Sequence, residues 1–240
     1  KHNDLYPSSE QLNENTHIMN QIGSTTAALG NGFATGAATL STFSLFFSII
    51  ALSGHLFSNI LIVDLFLLSG LMMGIMIPFI YSGFLISGLN NCIKYVMKEV
   101  SRQFKEIPYL YEGKAHPDIK KAADTLAKKS LDALIIPGIL MVVPPLFIGY
   151  VFGVKMLVGY VLGTFLTGFN QGFYWANYGD SLSSIKNLIG NGHLGGKDSQ
   201  NYEYITFANN YGDCFKDLLN PGINILIKAV SLTAILTLLI

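Results

Sequence analysis

LFLLSGLMMGIMIPFIYSGFLISGLNNC, residues 65–92, contains no charged side chain. A helix of about 20 apolar residues is long enough to cross the hydrocarbon core of a membrane, which is about 30 Å thick. Helices of water-soluble domains carry charged residues along the face that meets water. This stretch therefore predicts a membrane-spanning helix, and it decides the fold class.

Four further stretches are nearly free of charge. They cover residues 32–63, 133–154, 156–176 and 221–240, in which only His55 and Lys228 can carry a charge at neutral pH. Half of the 240 residues are hydrophobic, 12% are charged and the mean hydropathy is +0.43, which excludes an ordinary water-soluble domain. We predict an all-α fold, a polytopic membrane helix bundle with five transmembrane helices near residues 30–53, 63–90, 133–154, 156–186 and 213–240.

Basic residues concentrate in one connection, residues 91–132. They are Lys94, Lys98, Arg102, Lys105, Lys114, Lys120, Lys121, Lys128 and Lys129. Such a concentration predicts a cytoplasmic loop, which we expect to form a solvated amphipathic hairpin. Five crossings then place residues 1–29 and 187–212 in the cytoplasm and the C-terminus outside or in a lumen. The formal net charge of zero, without interleaved basic and aromatic residues, excludes a nucleic-acid partner.

A polar stripe enters the last apolar run. At about 100° per residue, one face of a helix would carry Asp213, Asp217, Asn220, Asn224 and Lys228, with Lys216 beside them. Ionisable groups at membrane depth are costly, and they usually face a bundle interior or an aqueous cavity. The stripe therefore predicts a path for an ion or a polar substrate.

Small residues and prolines indicate how the helices pack. Gly32 and Gly36 are four residues apart, as are Gly159 and Gly163, and this spacing favours close approach of helix backbones. The predicted spans contain, among other prolines, Pro78, Pro137, Pro144 and Pro145. We expect bends there, tolerated because neighbouring helices can satisfy the freed carbonyl groups.

Several motifs occur in order along the chain. They are GSTTAALGNGFA at 23–34, EVSRQF at 99–104, GKAHPD at 113–118, IPG at 136–138, NYG at 177–179 followed by Lys186, GDCFKD at 212–217 and NILIK at 224–228. Together they resemble the carboxy-terminal third of the membrane-integral inorganic pyrophosphatases, which couple pyrophosphate hydrolysis to proton or sodium pumping. The resemblance implies the last five helices of a sixteen-helix subunit. Its implied partners are the lipid bilayer, the remaining helices of the subunit and a second subunit of a homodimer.

The resemblance also assigns a substrate site. The family's final signature, Asp-x-x-x-Asp-Pro-x-Lys-Asp, matches at Asp213, Lys216 and Asp217. It implies that Asp213 and Asp217 are catalytic carboxylates that hold Mg²⁺, and that Lys216 and Lys186 bind pyrophosphate. The residue types suit this chemistry, because Mg²⁺ prefers oxygen ligands and a polyanion needs cations to hold it.

Two further roles are carried by the resemblance alone. Lys228, together with Asn224, takes the position of the ion gate, where the family pairs the lysine with an acidic residue from another helix. Ala27 occupies a position that is alanine in potassium-dependent members, so K⁺ is a second cofactor to consider beside Mg²⁺.

The chain departs from the family's motifs in one direction. Acidic positions are filled here by neutral or basic residues, namely His17, Asn20, Ser183 and Asn209, and Ser24 and Asn31 replace an asparagine and a lysine. Loss of carboxylates weakens a Mg²⁺ site, which relies on few protein oxygens. Our hypothesis is therefore that hydrolysis is impaired or absent.

Three functions follow as expectations. The first is part of a proton-translocating pyrophosphatase, with H⁺ as the default ion and Na⁺ as the alternative. The second is a catalytically inactive relative or fragment with a structural or binding role in the membrane. The third is a secondary transporter or channel that uses the same polar stripe. The predicted location is an acidic-compartment membrane such as that of a vacuole, or a prokaryotic plasma membrane.

Overall fold

A computed structural model describes residues 9–54 and 64–239, and the described chain is almost entirely helical. Its helices are α1 (Ser9–Leu52), α2 (Leu65–Glu106), α3 (Ile119–Phe152), α4 (Val154–Gly190) and α5 (Gln200–Leu239), with a short 3₁₀ helix at His193–Gly195. No strand occurs in these residues, which confirms the all-α prediction. The substitutions predicted at His17, Asn20 and Ser24 concern side chains that lie outside the described residues.

Four of the helices are long and apolar enough to cross a membrane. They are α2, α3, α5 and the Thr25–Leu52 part of α1. The remaining helix, α4, is not among them, so the transmembrane helix predicted at 156–186 stays a prediction; Asn170 and Gln171 interrupt its apolar stretch. The fold is that of a polytopic helical membrane protein.

The charged connection at 91–132 is more helical than predicted. Helix α2 continues to Glu106 and α3 begins at Ile119, so the predicted loop is reduced to residues 107–118. Arg102 forms ion pairs with Glu99 and Glu106 at helical spacing, which favours continuation of the helix. Charge ends the apolar stretch of α2 without ending the helix.

The two helix ends at this connection are tied together by Gln103. Its Nε2 donates to the backbone oxygen of Asp118 at 2.9 Å, and the Asp118 N–H donates to Gln103 Oε1 at 3.0 Å. The Asp118 side chain caps α3 by accepting from the N–H of Lys121 at 3.0 Å. The 99–104 and 113–118 motifs are therefore neighbours in space.

The chain forms two compact units. One consists of Lys1–Ala37 and Phe173–Asn220, and the other of Ala38–Gly172 and Pro221–Ile240. In the second unit, glycines allow α2 and α4 to touch. A Cβ on Gly74 would overlap the carbonyl oxygen of Tyr160, and a Cβ on Gly159 would overlap that of Leu67. The close packing predicted at Gly159 is confirmed.

The glycines of α1 behave differently. A Cβ added to Gly32 or Gly36 would meet no atom within 4 Å in the described part of the chain. The described residues therefore do not show the close packing predicted at this pair. Equal spacing alone does not establish that a glycine pair contacts another helix.

Pro78 shows how α2 accommodates a proline. Its missing N–H frees the carbonyl group of Gly74, one turn earlier. Thr164 Oγ1 on α4 lies 3.2 Å from this oxygen and 2.8 Å from the Tyr160 carbonyl oxygen of its own helix, and its single hydrogen can be donated to one of them at a time. The neighbouring helix therefore places a donor within reach of the freed carbonyl.

Candidate functional site

In the first unit, helices α4 and α5 approach each other at two glycines. A Cβ on Gly179 would lie 2.6 Å from Lys216 Cβ, and a Cβ on Gly212 would lie 2.7 Å from a methyl carbon of Leu182. Neither position has room for a side chain without a local shift. Each glycine is followed directly by an aspartate, which brings Asp180 and Asp213 into the same contact region.

Lys216 lies between these two aspartates. Its Nζ is 3.3 Å from Asp180 Oδ1 on α4 and 3.4 Å from Asp213 Oδ1 on its own helix. The Lys216 side chain is only 13% exposed. An ion pair shielded to this degree is screened less by water than a surface pair. The ammonium group is therefore held at a defined position between two helices.

Asp213 is further bound by two neutral side chains. Asn209 Nδ2 donates to Asp213 Oδ2 at 2.7 Å. Ser183 Oγ lies 2.8 Å from Asn209 Oδ1 and 3.3 Å from Asp213 Oδ1, and its single hydrogen can be donated to one of them at a time. Both carboxylate oxygens of Asp213 thus have protein partners. We call Asp180, Ser183, Asn209, Asp213 and Lys216 the α4–α5 cluster.

The cluster does not fit a complete Mg²⁺ site as it stands. Among the side chains that the structure describes, which do not include those of residues 9–14, 17, 20, 21 and 24, no three His, Cys, Asp or Glu residues are placed to hold one metal ion. Asp217, the second predicted metal ligand, is exposed and forms no ion pair with another described residue. The carboxylates of this chain could supply at most part of a metal's ligand set.

The sequence prediction identified some members of the cluster and missed one. Asp213 and Lys216 are brought together as expected, whereas Lys186 is half-buried and has no ion pair among the described side chains. Asp180 was missed. Its position three residues before Ser183 places both on one face of α4, and that spacing was the available signal.

Aromatic side chains pack beside the cluster. The rings of Trp175 on α4 and Phe215 on α5 stack with centroids 4.7 Å apart, and Phe215 is the residue before Lys216. Tyr178 meets the Trp175 ring edge-on at 6.1 Å. These ring contacts pack α4 against α5 beside the cluster.

The remaining predicted residues lie elsewhere on the helices. In the first unit, Asn220 is 1% exposed and its Oδ1 accepts from Thr35 Oγ1 at 3.0 Å. In the second unit, Asn224 is buried and Lys228 is half-buried without an ion pair among the described residues. Ala27 is exposed on α1. The gate and potassium roles stay predictions.

Comparison with known proteins gives a consistent result. A family model described as "Inorganic H+ pyrophosphatase" matches residues 4–237. A K⁺-insensitive pyrophosphate-energized proton pump of Methanosarcina mazei is 33% identical over 226 residues, which cover 94% of this chain and 34% of the pump. A K⁺-stimulated pyrophosphate-energized sodium pump of Thermotoga maritima is 32% identical over 232 residues, 92% of this chain and 32% of the pump. The chain spans about a third of the length of these curated relatives.

Proposed function

The chain belongs to the inorganic H⁺ pyrophosphatase family, and from that premise we propose that its protein is an integral membrane pump that couples pyrophosphate hydrolysis to ion transport. H⁺ is the default ion. Na⁺ is the alternative, because relatives that match equally well include a proton pump and a sodium pump. Residues 1–29 and 187–212 are proposed to face the cytoplasm, where the substrate would enter.

The observation that supports this function is the placement of Lys216. A buried ammonium group fixed between two helices is a preorganised cation, and preorganised charge is what an enzyme needs to hold a polyanion and stabilise charge in a transition state. Asp180 and Asp213 hold this ammonium group in place through ion pairs of 3.3 and 3.4 Å. Asp217, exposed beside this lysine, is the carboxylate left accessible for catalysis.

We propose Mg²⁺ as the cofactor, which would neutralise part of the charge of pyrophosphate. Asp217, and Asp213 after exchange of its protein partners, would contribute oxygens, and the other ligands would come from outside the described residues. K⁺ is proposed as a second cofactor through Ala27, although the two relatives differ in their response to K⁺. The homodimer stays a prediction.

The direct experiment is phosphate release from pyrophosphate by the full-length protein in membranes. It is run with and without Mg²⁺ and K⁺, and with Asp217→Ala and Asp198→Ala variants. Asp198 is exposed in the connection before α5 and serves as a matched control. We expect Mg²⁺-dependent release that Asp217→Ala abolishes and Asp198→Ala preserves. Absence of release from the unsubstituted protein would contradict the proposal.

One observation favours a second candidate, a catalytically inactive relative with a structural or binding role. Asn209 donates to Asp213 Oδ2, and Ser183 lies within hydrogen-bond distance of both residues, as in a purely structural cluster. This candidate predicts that the protein binds pyrophosphate weakly or not at all while remaining stably folded in the membrane. A stable protein without Mg²⁺-dependent hydrolysis would favour it over the pump.

A further inference from the structure

Asp180 supplies an ion pair that the sequence motifs do not identify. Its Oδ1 lies 3.3 Å from Lys216 Nζ, and it is the carboxylate on α4 that reaches this ammonium group. We propose that Asp180 is a positioning residue, which holds Lys216 at the α4–α5 contact and so places its charge for an anionic ligand. The ligand class, a phosphate or pyrophosphate, rests on the proposed function. The contact between Asp180 and Lys216 does not.

The three aspartates near Lys216 are not equivalent. Asp213 Oδ2 accepts a hydrogen bond from Asn209 Nδ2 at 2.7 Å, so the orientation of Asp213 is fixed in part by a group other than the lysine. Asp217 is exposed and forms no ion pair in the described residues. Among the described residues, Lys216 is the side chain that pairs with the Asp180 carboxylate, and the Asp180 side chain is 29% exposed. Its carboxylate is therefore available to act on the lysine.

The backbone supports this assignment. Gly179 precedes Asp180 and lets α4 lie against the Cβ of Lys216, where any larger residue would collide at 2.6 Å. The Lys216 side chain is therefore confined at its Cβ by the close approach of Gly179, and its Nζ is held by the Asp180 carboxylate. A long flexible side chain fixed at both places loses most of its rotamer freedom, which lowers the entropy lost on binding an anion.

The experiment measures the reactivity of Lys216 toward an amine-acylating ester. The full-length protein in native membranes is labelled briefly, and acylation of Lys216 and Lys186 is quantified by peptide mass spectrometry. Removing the Asp180 carboxylate releases the ammonium group from the α4–α5 contact and makes it more accessible to the ester. We expect Asp180→Asn to raise labelling of Lys216 by roughly two- to fivefold, the change that loss of one partly exposed ion pair allows, with labelling of Lys186 unchanged.

Three comparisons separate positioning from a loss of fold. Asp180→Glu keeps the carboxylate and should return Lys216 labelling toward the unsubstituted level. Asp198→Asn removes a carboxylate elsewhere in the same unit and should leave it unchanged. A rise at both lysines in Asp180→Asn would indicate unfolding and would overturn the proposal, as would equal labelling of Lys216 with and without the Asp180 carboxylate.

A final arm adds inorganic pyrophosphate with Mg²⁺ to the unsubstituted protein. We expect slower labelling of Lys216, because a bound anion would cover the ammonium group. A failure of pyrophosphate to protect Lys216 would count against the proposed function. The effect of Asp180→Asn is measured without pyrophosphate, so that it tests the positioning role by itself.

Discussion

Lys216 and Lys228 are carried by the same helix, α5, and have different surroundings. Lys216 is 13% exposed and has carboxylates at 3.3 and 3.4 Å, one from α4 and one from α5. Lys228 is half-buried in the second unit and forms no ion pair with any side chain of the described ranges. Within the described residues, Lys216 therefore has charge partners and Lys228 has none.

The difference teaches where each lysine's function has to be tested. An ammonium group with two fixed carboxylates is already oriented, so its role depends on residues that lie within this chain. A membrane lysine in an otherwise uncharged run, residues 221–240, is costly unless something outside the run compensates it. The proposed gate role of Lys228 therefore depends on a charge partner outside the side chains that the structure describes.

The largest effect is expected from removing the charged side chain of Lys216. Lys216→Ala should lower pyrophosphate hydrolysis by about 10²- to 10³-fold, the usual loss when one preorganised electrostatic group is deleted. Hydrolysis is measured as phosphate release from membranes that contain equal amounts of each protein. Lys197→Ala, at an exposed position in the same unit, is the control and should retain activity. Equal rates in the two variants would contradict the role of Lys216.

Lys228 should affect transport more than hydrolysis. Lys228→Met keeps the length of the side chain and removes its charge, so we expect ion transport per pyrophosphate hydrolysed to fall by roughly tenfold or more. The ratio is measured by vesicle acidification and phosphate release in the same preparation. Lys228→Arg keeps a cation and should preserve more of the ratio. An unchanged ratio in Lys228→Met would contradict the proposed gate role of Lys228.

A smaller effect, on stability, tests what holds the second unit together. Gly74→Ala places a methyl group against the carbonyl oxygen of Tyr160, so we expect a loss of about 1–3 kcal/mol in the free energy of unfolding. Gly83→Ala, on the same helix with nothing within 4 Å, is the matched control. Thermal unfolding in detergent measures both. If both variants unfold at the same temperature, the close α2–α4 contact does not contribute to stability.

The smallest effect concerns an ion pair at the start of α2, where Asp64 is the N-cap. Lys155 Nζ lies 2.7 Å from Asp64 Oδ2, and this hydrogen bond holds the pKa of Asp64 below its ordinary value. A carboxyl group whose pKa is lowered in the folded state stabilises the fold at pH values above its ordinary pKa, which is about 4 for aspartate. This stabilisation is lost as the pH falls through the folded-state pKa. Lys155→Ala should therefore lower the unfolding temperature slightly at pH 7, and the difference should shrink in acid. A difference that grows in acid would reverse the sign of this argument.

Much of the fold could be predicted from the stretches of sequence that lack charged residues. The uncharged runs identify all five helices, because apolar length is the main requirement for crossing a membrane. The helix ends could not be predicted in this way. Charged residues such as Arg102 favour helix when they pair with Glu99 and Glu106, so α2 continues past the predicted end near residue 90.

The candidate site was predictable only in part. Asp213 and Lys216 share one helix, and a spacing of three residues was enough to place them together. Asp180 lies on α4, and no spacing along the chain reveals a contact between two helices. The partners of Asp213 were likewise hidden, because Ser183 and Asn209 were considered as lost carboxylates rather than as hydrogen-bonding groups. Pairing across helices has to be observed in three dimensions.

We propose that the whole protein is a pyrophosphate-energised ion pump and that Lys216 binds the charge of its substrate. The most direct measurement is ion uptake into sealed vesicles that contain the full-length protein, started by pyrophosphate and Mg²⁺. We predict acidification that a protonophore collapses, or Na⁺ uptake that persists with the protonophore, and loss of either in Lys216→Ala. Folded protein that moves neither ion when pyrophosphate is added would contradict the account.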